Sequence, residues 1–224
     1  MKNTHDQYNE MSSRWQMCRD AAAGEYEVHN KGEQYLPRLN RESDDDYKKR
    51  LLRTPFFNAT WRTIIFLRGM LFRKDIDINV PESMTDELKN IDNTGESLTT
   101  FAKKVLLEVL TVGRAGILTE HTVVQEGVTR ADAERIGARP FLTMYAAESI
   151  LDWAYTIING KKVLTSVRLK QSAEDYKDIQ IEDGQEINRM LELKDGIYIQ
   201  RIMLVKQDEE VQVGEDIIPR MGGN

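Results

Sequence analysis

The chain has 224 residues, 40% of them hydrophobic and 30% charged, a balance that suits a water-soluble globular protein with material for a sizeable core and excludes wholesale disorder. Its 31 basic residues against 37 acidic ones leave a net charge of −6, which argues against tight electrostatic gripping of DNA over the whole surface. A single cysteine, Cys18, excludes an intramolecular disulfide and fits a reducing compartment.

The charge is uneven. Residues 1–75 hold 14 basic and 11 acidic side chains, whereas residues 76–224 hold 17 and 26, so any phosphate contact is expected from the first third. The N-terminus, MKNTHDQYNEMSS, is polar and lacks the apolar core of a signal peptide. From Met11 to Ala23, Trp15, Cys18 and Ala22 recur at helical spacing, and Gly24 supplies a stop. Gly32, Pro37 and mixed polar residues up to Arg41 break every period, so residues 1–42 read as a helix followed by an extended arm.

Residues 43–138 read as mainly helical. Ser43 precedes Asp44-Asp45-Asp46 and the run Tyr47–Arg53, placing a capping hydroxyl and negative charge at the positive end of a helix. The three aspartates are candidate ligands for a divalent ion, but capping is a sufficient reason for them. Lys48, Lys49, Arg50 and Arg53 are candidate phosphate contacts, but they stand beside three aspartates on the same helix and local ion pairing is the better explanation. Pro55 suits the first position of a new helix, in which Phe57, Trp61, Ile64, Ile65, Leu71 and Phe72 follow at helical spacing. Asn58, Arg62 and Arg68 interrupt this apolar stretch, which is too short to span a membrane.

A short helix is expected over Asp86–Asn90, a break over Asp92–Gly95, and an amphipathic helix over Ser97–Val112. Its buried stripe is expected to be Leu98, Phe101, Val105, Val109 and Val112, with Gly113 as terminator and Gly116-Ile117-Leu118 as a short buried strand. Residues 139–205 change period. Phe141–Tyr145, Leu151–Ile158 and Val163–Leu169 are rich in strand formers, and Asn159-Gly160 and Asp195-Gly196 are the dipeptides of two-residue hairpin turns. An antiparallel sheet over 140–205 is expected, and residues 206–224 read as an irregular tail. The fold class is therefore α+β.

Histidine occurs only at positions 5, 29 and 121, without an HExxH pattern or a second cysteine, and neither GxxxxGK[ST] nor GxGxxG occurs. No metal, nucleotide or other cofactor is expected. Asp92, Arg114 and His121 are the best candidates for a convergent catalytic group, and no pocket is expected to join them.

The order of Tyr35-Leu36-Pro37, Tyr47, Arg50-Leu51, Phe56-Phe57-Asn58 with Thr60 and Thr63, and Leu67-Arg68-Gly69-Met70-Leu71-Phe72-Arg73-Lys74 resembles a tailed-bacteriophage portal-like family. The likeness continues through Ile91-Asp92, Gly95, Ser97-Leu98, Phe101-Ala102, Gly113–Leu118, Arg139-Pro140-Phe141, Tyr145 and Trp153. The resemblance implies a non-catalytic subunit of a capsid-vertex ring, usually twelvefold, in the virion or host cytoplasm. A separate terminase motor drives double-stranded DNA through such a ring without tight binding, and capsid and tail adaptor proteins contact it. Tyr35, Leu36, Pro37, Phe56, Phe57, Asn58, Trp61, Gly69, Phe72, Gly113, Arg114, Arg139, Pro140 and Trp153 would then serve packing or subunit contact. Portals of this kind are longer, with stem helices and a clip, so the chain would correspond to the outer wing region and form a ring weakly or not at all. Another phage head–tail adaptor or head-completion protein is the alternative, and an enzyme with an unrecognised site is a more remote one.

Overall fold

The computed structural model describes residues 4–122, 129–135, 137–171, 186–206 and 209–218. The chain divides into a helical unit, Ser12–Ala115, and a second unit that joins Met1–Met11 to Gly116–Asn224. The change from helix to sheet thus falls at Gly116 rather than near residue 139, and the first residues belong with the sheet. The α+β class stands: helices come first and antiparallel strands follow.

Helix α1 spans Asp6–Ala23 and starts ahead of the expected Met11, because the His5 ring nitrogen accepts the Gln7 N–H at 3.1 Å and caps the first turn. In the helical unit, Trp15 and Ala22 are buried on α1. Residues 25–41 are not an extended arm. Helix α2 (Glu25–Asn30) and a 3-10 turn (Gly32–Gln34) fold back within the unit. The reversal is held by Arg38, which bonds Glu33 at 2.6 Å and Asp44 at 2.5 Å, and by Arg50, which donates to Glu42 and to the Pro37 carbonyl.

Helix α3 (Asp44–Arg53) begins as expected: the Ser43 hydroxyl accepts the Asp46 N–H at 3.2 Å and donates to the Asp46 carboxylate at 2.7 Å. Helix α4 (Ala59–Leu71) starts later than a Pro55 start requires. Asn58 Oδ1 accepts the Trp61 N–H at 2.8 Å and is the true cap, while the Phe56 N–H is taken by the Glu25 carboxylate at 3.1 Å. In place of a helix over 86–90 there are two 3-10 turns, Glu82–Met84 and Glu87–Lys89.

Helix α5 (Leu98–Val112) ends at Gly113, whose φ of 80° is the left-handed conformation that a side chain resists. Its buried positions are Phe101, Glu108 and Val112, whereas Val109 is exposed. Phe101 and Val112 are buried as expected and Leu98 and Val105 half-buried, but at the fourth place of the stripe Glu108 points inward instead of Val109. Arg19 makes this tolerable by donating twice, at 3.1 and 2.6 Å, to the Glu108 carboxylate.

In the second unit, β1 (Ala115–His121) and β2 (Pro140–Ala146) form a two-stranded sheet, with helix α6 (Arg130–Arg135) between them in sequence. Strands β3 (Ile150–Ile158), β4 (Lys161–Gln171), β5 (Glu186–Lys194), β6 (Ile197–Lys206) and β7 (Glu209–Ile218) form a five-stranded antiparallel sheet in sequence order. Both expected hairpins are present, with φ of 50° and 74° at Asn159 and Gly160 and 50° and 81° at Asp195 and Gly196. The main sheet is not the one expected over 140–205, since β2 pairs with β1 instead. Nor is 206–224 irregular throughout, because β7 pairs along β6 from Lys206↔Glu209 to Tyr198↔Ile218.

Tyr145, Ile150, Leu169 and Leu191 make one core, against which Leu118, Trp153 and Val167 pack. Ile187, Ile202 and Leu204 make another. Gly116 permits close approach in the first: a Cβ there would lie 2.8 Å from Ile150 Cδ1. Ile117 on β1 is exposed, so that strand is buried on one side only. Arg189 on β5 and Glu120 on β1, both mostly buried, pair at 2.5 Å.

Candidate functional site

The helical unit carries most of the motif residues, and many of them fasten the chain to itself. Tyr35 donates its hydroxyl to buried Asp20 at 2.7 Å, and Gln16 donates to the other Asp20 oxygen at 2.8 Å. Burial, reinforced by that carboxylate, raises the Tyr35 pKa to about 12. Half-buried Leu36 closes the 3-10 turn through its N–H to the Gly32 carbonyl at 2.9 Å, and exposed Pro37 supplies the carbonyl that Arg50 binds. The Tyr47 ring is buried with the Arg38 and Arg50 guanidinium groups 4.7 and 5.4 Å from its centroid.

Asn58 serves two helices at once. Besides capping α4 it donates Nδ2 to the Ala22 carbonyl at the end of α1, at 2.8 Å. Gly24 lies against the same amide: its φ is 102°, and a Cβ there would come 2.8 Å from Asn58 Nδ2. The joint between α1 and α4 is therefore built from a glycine and an amide that fit only together.

Past this joint the chemistry changes. Only Ile64 is buried on α4, while Trp61, Phe66, Leu67, Met70 and Leu71 are exposed, as is Phe57 just before the helix. Gly69 has no atom within 4 Å of a Cβ built on it, so close packing does not require glycine there. Arg62 stands over the Phe57 ring at 4.7 Å, and Lys103 lies 5.5 Å from the ring of half-buried Phe72. Phe66, Leu67, Met70 and Leu71, at i, i+1, i+4 and i+5, make an exposed apolar stretch along α4, and Trp61 lies off it beyond buried Ile64. Helical periodicity gave the stripe Phe57, Trp61, Ile64, Ile65, Leu71 and Phe72 but missed Phe66, because it marks faces without telling which one is covered.

The remaining motif residues are structural in their local contacts. Gly113 closes α5, and Arg114 lies 5.7 Å from the ring of buried Trp15. In the sheet unit the Arg139 carbonyl accepts the Thr122 N–H at 3.2 Å while the Arg139 N–H donates to the Thr122 hydroxyl at 3.4 Å, and Pro140 opens β2. Trp153 packs on the core and stacks on His5, with ring centroids 4.0 Å apart and planes 12° apart.

Each of the residues weighed for chemistry has its own local contacts. Asp92 is spent on its own loop, accepting the N–H groups of Thr94 and Glu96 at 3.0 Å and the Thr94 hydroxyl. Partial burial pushes its pKa up, but those hydrogen bonds outweigh it and hold the carboxyl below the ordinary range. Arg114 is against Trp15, and His121 is exposed with Nδ1 2.9 Å from the Thr122 carbonyl oxygen. Asp44, Asp45 and Asp46 occupy the first turn of α3, and among the described residues no group of three or more His, Cys, Asp or Glu is placed to hold a metal.

The sheet unit contains a polar cleft of about 540 Å³ between Thr4 and Tyr8 on one side and Glu148, Lys170, Glu186 and Asn188 on the other. Lys170 and Glu186 pair with each other across it, and the Tyr8 hydroxyl donates to the Glu148 backbone carbonyl at 3.3 Å. Among the described residues no helix is long and apolar enough to cross a membrane. No protein-family model matches the chain, and no curated protein matches it.

Proposed function

We propose that the chain is a non-catalytic assembly subunit of the portal-like kind, packing against like subunits around a capsid-vertex channel. The observation that carries this reading is the exposed apolar face of α4 within the run Phe56–Lys74, the densest part of the portal-like motif. Five large apolar side chains on one 13-residue helix lose favourable burial unless a partner covers them.

The partner this face favours is another copy. Contacts around a closed ring join two different surfaces of the same protein, and the basic first third and acidic remainder of this chain are complementary in that sense. The net charge of −6 also suits a channel through which DNA slides, since strong phosphate binding would retard passage. In this reading the terminase motor, capsid and tail adaptor are further partners and no cofactor is needed.

The test is sedimentation velocity over a concentration series, with the exposed pair Phe66→Glu and Met70→Lys as control. Weak, concentration-dependent association into species larger than a dimer at micromolar protein, lost in the control with unchanged circular dichroism, supports the reading. Association beyond a dimer that is indifferent to the control contradicts it. A persistent ring of ten or more copies contradicts the expectation that this region alone assembles weakly.

A further inference from the structure

Strand β3 is an edge of the five-stranded sheet, so among the described residues the outer side of its backbone has no ladder partner in that sheet. The N-terminal segment covers one end of this edge: the His5 N–H donates to the Leu151 carbonyl at 2.9 Å, and the His5 ring stacks on Trp153. Beyond that cover exposure changes abruptly. Leu151, Asp152 and Trp153 are half-buried, whereas Ala154, Tyr155, Thr156, Ile157 and Ile158 are all exposed, Ile157 at 75%. An uncharged, β-branched edge without proline is the kind that recruits another strand.

We propose that this edge pairs with the same edge of a second copy, antiparallel, about a two-fold axis at Thr156. The open stretch 154–158 is centred on Thr156, so only that register uses all of it in both copies. It sets Tyr155 opposite Ile157 of the second copy twice over, an aromatic–aliphatic cross-strand pair of the favourable kind. Charge selects the direction. Asp152 lies before the open stretch, and Lys161 and Lys162 lie just past the Asn159-Gly160 turn. Antiparallel pairing brings the acidic end of each copy beside the basic end of the other, whereas parallel pairing in register sets like charges together. Lys162 lies over the Tyr155 ring at 4.3 Å, so the basic end of the hairpin is held beside the open stretch.

This contact is isologous and uses a different surface from α4, so it stands or falls separately from the ring reading. The experiment is disulfide trapping in the full chain with Cys18→Ser as background. Thr156→Cys is expected to give a covalent dimer under mild oxidant. Ala154→Cys or Ile158→Cys alone is expected to give little, and a mixture of those two chains to give the dimer. Ile157→Lys added to Thr156→Cys is expected to abolish trapping with circular dichroism unchanged, while Phe66→Glu with Met70→Lys leaves it intact. Absence of a Thr156→Cys dimer, efficient trapping by the 154 and 158 variants alone, or loss of trapping through the α4 pair would each overturn the proposal.

Discussion

Gly24 and Asn58 show how a single atom sets the geometry of the helical unit. With φ of 102° and ψ of −158°, Gly24 sits where a side chain is strained, and the Asn58 amide fills the space a Cβ needs. Gly24→Ala is expected to lower stability by at least about 2 kcal/mol, read as a drop in urea midpoint at constant slope. Asn58→Ala loses the cap and the bond to Ala22, about 2 kcal/mol together. Asn58→Asp keeps the cap but turns an oxygen toward the Ala22 carbonyl, and is expected to destabilise as well.

A second prediction concerns acid. The two hydrogen bonds from Arg50 hold the Glu42 carboxyl down at about 2, against an ordinary 4.5. Because the folded pKa is the lower one, this contribution is complete above about 4.5 and is lost as pH falls toward 2. Glu42→Gln should therefore weaken the protein at neutral pH and flatten its stability curve over that window. A pH series of urea melts measures this, and an unchanged curve contradicts the pairing. Neither Asp20 nor Glu108 was legible as an inward residue, because apolar periodicity counts only apolar side chains and says nothing of a distant Tyr35 or Arg19.

Among elements, the two hairpins were fully legible because their turns need positive φ and the sequence supplies Asn-Gly and Asp-Gly there. Gly160→Val is expected to cost about 1–3 kcal/mol, measurable by thermal melting, since a β-branched residue resists the left-handed region. Strand β7 was not legible. EEVQVGEDII has no clean alternation, and its strand state comes from pairing along the whole of β6, a partner that local pattern does not reveal. Strand β2 was legible as a strand but not as the partner of β1, because strand propensity carries no information about pairing. Helix α4 was legible as a helix. Its exposure was not, since helical spacing is the same for a core stripe and a docking face.

At the scale of the whole molecule, the α+β class followed from the change of period along the chain, while the boundary between units did not. Gly116 and the N-terminal residues join the sheet unit through contacts far apart in sequence, such as His5 with Leu151 and Trp153. The portal-like reading rests on motif order together with the uncovered face of α4. A photo-crosslinking residue at position 66, in the full chain at tens of micromolar, tests that reading most directly. The account predicts that light captures a second copy of this chain, attached through α4 to a different surface of the neighbour, and that capture is lost with Met70→Lys. Position 66 yielding only uncross-linked chain across the concentration range, or capture unaffected by Met70→Lys, would contradict it.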